Sequence, residues 1–62
     1  MAYNIYKGDK LHAVCNHSMD ATSQAVEYYR NQTKTVTVTE VALDGTETSF
    51  DWERAYRELC NQ

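Results

Sequence analysis

The chain has only two glycines, Gly8 and Gly45, each beside an aspartate, and it has no proline. Glycine reaches positive φ without steric cost, and a Gly-Asp or Asp-Gly pair between β-forming runs marks a tight hairpin turn. Two such turns in 62 residues confine the chain to a few short elements, with no flexible linker or low-complexity segment between them. Residues 1–62 therefore read as a single domain. A domain of this size hides only about 60% of the surface that its unfolded chain exposes, so its core is thin. Apolar residues at 42% and charged residues at 24% are the balance of a chain that folds.

Around the first turn, residues 3–7 and 10–15 are rich in β-formers and predict an antiparallel pair, with Tyr3, Ile5, Leu11, Ala13 and Cys15 sharing the core side. Ser18 is the expected N-cap of a helix over about 19–31, with Asp20 in its first turn, where the helix dipole favours a negative charge. Ala21, Ala25, Tyr28, Tyr29 and Gln32 recur at helical spacing and form its expected inner stripe, and Glu27, Arg30 and Asn31 turn outward.

The Thr/Val alternation beginning at Thr35 predicts a strand over 35–43, but Val36 and Val38 differ in parity from Val41 and Leu43. A bulge at Thr39 or Glu40 would bring all four to the core face. Asp44-Gly45 then predicts a two-residue turn into a short polar strand over 46–49. The last segment starts from a cap at Ser49 or Asp51 and sets Trp52, Ala55, Tyr56 and Leu59 on one helical face, with Glu53 and Arg57 placed to pair. The expected architecture is α+β in ββαββα order: a four-stranded antiparallel sheet with both helices packed on one face.

Several function classes are disfavoured by the residues present. The start, MAYNIYKGDK, has no apolar signal region, and no run approaches the ~20 apolar residues of a membrane span. A cytoplasmic setting follows, with no membrane partner and with Cys15 and Cys60 expected to be free and buried. Six basic residues against nine acidic ones, net charge -3, supply no field for a phosphate backbone, and the acids are too dispersed to mimic one. His12, Cys15, His17 and Asp20 are metal-ligand types within one short stretch, yet strand alternation sends His12 and Cys15 to opposite faces, so no metal site is expected. No nucleophile elbow, phosphate loop or paired-carboxylate context accompanies the Cys and His residues, so neither catalysis nor a cofactor is expected.

What remains is surface. Helices on one sheet face leave the other with Asn4, Tyr6, His12, Val14, Thr35 and Thr37, among which Tyr6 and Val14 form an apolar centre ringed by polar groups. Tyr3, Tyr29 and Tyr56 are expected inside, and Tyr6 and Tyr28 at least partly outside. An exposed edge strand, guarded in part by Lys34 and Glu40, offers a second opening for a partner or another copy. The candidate binding residues are Tyr6, Val14, Tyr28, Arg30, Arg54 and Arg57.

The hairpin-then-helix opening resembles small phage and mobile-element proteins in size and style. That resemblance implies an accessory protein that binds a host or virion component, and it assigns no residue a role. The leading expectation is a non-enzymatic protein-binding module acting through a sheet face or edge, with a homodimer as one form. The alternative is a small regulator of nucleic-acid transactions, using Lys7, Lys10 and Lys34 or acting as an acidic competitor.

Overall fold

The computed structural model describes residues 2–61. The elements are β1 (Ala2–Lys7), β2 (Lys10–Cys15), α1 (Ser18–Asn31), β3 (Val36–Val41), β4 (Glu47–Phe50) and α2 (Trp52–Cys60), the ββαββα order expected. The sheet is antiparallel in spatial order β2-β1-β3-β4, so the first strand lies in the interior and β2 and β4 form the edges. Glu40, in interior strand β3, and Lys34, outside the strands, therefore guard neither edge.

One face of the sheet carries the core. Ile5, Cys15, Val36 and Val38 meet Ala21 and Ala25 of α1 and Trp52 of α2, and Tyr3, Ala13, Val26, Tyr28 and Phe50 pack around them. The two alanines are fully buried; with no side chain beyond Cβ, they let α1 settle close against the sheet. Trp52 reaches under α2 to donate its indole N–H to the Val36 carbonyl at 3.3 Å. That carbonyl lies beyond the span paired with β4, which ends at the Val38–Phe50 match. The indole thus satisfies a buried acceptor that the short fourth strand does not reach.

Helix starts differ in detail from expectation. His17, with extended backbone, takes the N-cap position of α1, while Ser18 is its first residue and accepts a bond from buried Thr22 Oγ1 at 2.8 Å. Asp51 caps α2, its carboxylate accepting from the Arg54 backbone N–H at 3.0 Å. The ion pair on α2 is Arg54–Glu58 at 3.2 Å rather than Glu53–Arg57.

Two irregularities re-sort the apolar residues. The β1–β3 ladder runs without interruption from Lys7–Val36 to Ala2–Val41, so the expected bulge at Thr39 or Glu40 is absent. The irregularity lies instead in the first hairpin, where Ile5 faces Ala13 but Tyr6 faces Leu11 and His12 is the extra residue. This shift puts Leu11 opposite Tyr6, on the face away from the helices, where it is 54% exposed. His12 also departs from its expected place on that face: its ring stands edge-on to Tyr28 of α1, centroids 4.8 Å apart.

At the second hairpin, Gly45 N–H bonds to the Ala42 carbonyl and Ala42 N–H to the Thr46 carbonyl, both at 2.9 Å. The loop is Leu43-Asp44-Gly45, with Gly45 at φ +90°, the three-residue form that ends in a left-handed glycine. The expected two-residue turn would have kept Leu43 in the strand. Instead it caps the loop tip, 98% exposed, while half-buried Val41 pairs with Ala2 on the face away from the helices. Gly8, at φ +62°, opens the two-residue Gly8-Asp9 turn as expected.

Two candidate binding surfaces

The first surface is the sheet face that neither helix covers. Register places Asn4 and Tyr6 of β1, Leu11 and Val14 of β2, Thr37, Thr39 and Val41 of β3, and Glu47 of β4 on it. Tyr6 and Val14 share this face as expected, though Tyr6 lies opposite Leu11 and Val14 opposite Asn4. Leu11 and Val14, the latter 59% exposed, therefore make an apolar strip along edge strand β2.

Beside the strip, one oxygen of Glu47 accepts three hydrogen bonds: from Tyr6 Oη at 2.7 Å, Thr39 Oγ1 at 2.6 Å and Asn4 Nδ2 at 3.2 Å. The donors come from β1 and β3, so the side chain spans the sheet and fixes the Tyr6 ring. Hydrogen bonds from Thr39, Tyr6 and Asn4 favour the ionised carboxylate and hold the Glu47 pKa below its ordinary value. Tyr6 moves the other way, since its bond to Glu47 is lost when the phenol ionises, and its pKa rises above 10.0.

The signs define two pH windows. Glu47, with a depressed folded pKa, contributes at neutral pH and loses its contribution as pH falls through that pKa. Tyr6, with a raised folded pKa, contributes below the unfolded value and loses its contribution as pH rises through the folded one. Glu47→Gln is expected to lower the titration midpoint of Tyr6 toward 10.0, as read from the ring carbons of labelled tyrosine by NMR. An unchanged midpoint would remove the Glu47 bond as the cause.

The second surface is a cleft of about 250 Å³ between the helices. Val26, Tyr29, Trp52 and Tyr56 supply apolar walls, and Arg30, Arg57 and Glu53 supply charge. The Tyr29 and Trp52 rings lie 5.6 Å apart between centroids, and Arg30 donates to Tyr56 Oη at 2.9 Å while its guanidinium stands over that ring. Lys34 Nζ sits 4.3 Å from the centre of the Tyr29 ring, adding a third cation nearby.

The structure thus divides the expected binding residues. Arg30 and Arg57 converge on the cleft, whereas Arg54 lies along α2 in its pair with Glu58. Tyr28 packs against the core between His12 and Lys7, and Tyr29, expected inside, is the more open of the two at 38% exposure. Tyr3 packs edge-on against Phe50, and Tyr56 is half-buried. Leu11, Glu47 and Trp52 enter as surface-forming residues that sequence patterning did not mark. The available signal for Glu47 was the polar outward parity shared by β1, β3 and β4.

Cys15 is buried, and burial with the nearby Asp20 charge pushes its thiol pKa up; Cys60 is exposed, contrary to expectation, because the end of α2 turns its last residue outward. Both cysteines are free. Among the described residues, no group of three or more His, Cys, Asp or Glu is arranged to hold a metal ion, and no helix is long and apolar enough to cross a membrane. Compared with models of known protein families, with curated proteins and with solved structures, the chain matches none.

Proposed function

We propose that this protein is a non-enzymatic accessory module that binds a protein partner through the uncovered sheet face. The supporting observation is the Leu11–Val14 strip on β2, more than half exposed and lying next to a Tyr6 ring that Glu47 holds in place. An apolar centre, an oriented aromatic and a polar surround of Asn4, Thr37 and Thr39 form the anatomy of a recognition patch. Holding Tyr6 in advance reduces the ordering cost that binding would otherwise carry. The setting expected for such a module is cytoplasmic.

A second reading has one observation in its favour. The Gly8 N–H bond to the Thr35 carbonyl brings the first turn beside the α1–β3 link, so Lys7, Lys10 and Lys34 gather at one end of the molecule. A nucleic-acid regulator would use that end. Affinity capture from cells that produce the protein, with and without nuclease, separates the two. The expected result is a stoichiometric protein retained after nuclease and lost from the Leu11→Ser/Val14→Ser variant. Equal capture by that variant overturns the sheet-face reading, and loss on nuclease treatment favours the basic end.

A further inference from the structure

The β3–β4 loop and the interhelix cleft are complementary in shape and in charge. Leu43 is 98% exposed at the loop tip and packs on nothing, so nearly all of its apolar surface is open to burial by a second molecule. It is flanked by charge of one sign: Glu40, Asp44 and Glu47 lie within eight residues, and no basic residue occurs between Lys34 and Arg54. The Thr46 backbone N–H donates to Asp44 Oδ1 at 2.9 Å, which fixes that carboxylate beside Leu43.

The cleft offers the converse, aromatic walls of Tyr29, Trp52 and Tyr56 with Arg30 and Arg57 among the lining residues. Its volume of about 250 Å³ exceeds the ~150 Å³ of an apolar cavity that admits a benzene ring, so a leucine side chain fits. The two features lie at opposite ends of the sheet. Trp52 anchors the cleft at Val36, and Leu43 is seven residues further along the chain, roughly 23 Å at the rise of a strand. The loop therefore cannot fill the cleft of its own molecule.

We infer that the β3–β4 loop tip of one copy docks into the interhelix cleft of a second copy, with Leu43 lying against the aromatic walls and Asp44 facing Arg30 and Arg57. The contact joins two different patches: made twice about a two-fold axis it closes a dimer, repeated by a smaller rotation it closes a ring, and without closure it extends a filament. Glu53, also in the cleft lining, is the one like charge there and sets which side Asp44 avoids. This contact is separate from the sheet-face strip and does not rest on it.

Sedimentation velocity over a concentration series up to millimolar tests the assignment. The wild-type chain is expected to associate, and Leu43→Ser to weaken association roughly ten- to hundredfold, the value of burying one leucine side chain. Arg30→Glu/Arg57→Glu is expected to have a similar effect, and an equimolar mixture of the two variants to recover a complex, because one intact tip then meets one intact cleft. Leu11→Ser/Val14→Ser is expected to associate like wild type. All positions changed are exposed, and circular dichroism checks that each variant stays folded. A wild-type chain that stays monomeric overturns the inference. So does association unaffected by Leu43→Ser or abolished by Leu11→Ser/Val14→Ser, or variants that fail to complement.

Discussion

Trp52→Ala is expected to remove roughly half or more of the domain's stability. Removing a buried tryptophan side chain costs ~3–5 kcal/mol, and the whole domain has only about 3–9 kcal/mol at typical stability per residue. Trp52 is the single buried residue of α2, it joins that helix to the core, and its N–H is the partner of the Val36 carbonyl. Far-UV circular dichroism with urea titration measures the loss. Trp52→Phe separates the two contributions, since it keeps a ring in the site but strands the carbonyl, at about 1–3 kcal/mol. A Trp52→Ala protein with the urea midpoint of wild type would show that α2 is dispensable to the core.

The second large effect is a contrast between two aliphatic residues. Ile5→Ala is expected to destabilise by ~2–5 kcal/mol, because Ile5 is fully buried in central strand β1 between Ala13 and Val38. Leu11→Ala, only one strand away, is expected to stay within about 0.5 kcal/mol of wild type, the usual range for an exposed position. Urea midpoints of the two variants give the comparison directly. Equal losses would place Leu11 in the core and remove the register shift at His12.

That contrast also shows where the sequence was informative and where it was not. Element types and order follow from periodicity: the Thr/Val alternation of β3 and the Trp52, Ala55, Tyr56, Leu59 face of α2 each admit one regular structure. The expectation for Leu11 failed because Leu11 shares its parity in KLHAVC with Ala13 and Cys15, and an extra residue at His12 is decided by pairing with β1 and by the Tyr28 ring, which lie outside that segment. Asp44-Gly45 signalled a turn but not its length; one added loop residue moved Leu43 from a strand to a tip. Arg30, Tyr56 and Arg57 each stood out as individual residues. Their convergence depends on how α2 lies across α1, a tertiary fact that helix periodicity does not encode.

The position of β1 inside the sheet has a consequence for synthesis. Its second neighbour, β3, is separated from it in the chain by β2 and all of α1. At the usual 5–20 residues per second, roughly 2–7 s pass between translation of Lys7 and of Val41, which end the two strands. During that interval β1 and β2 can zip into a hairpin, but the other edge of β1 carries its backbone N–H and C=O groups unpaired and Ile5 uncovered by Val38. The nascent chain is therefore most prone to mispairing with its neighbours on a polysome in the seconds before β3 emerges. Slowing elongation across α1 would lengthen that window without altering any contact of the finished fold.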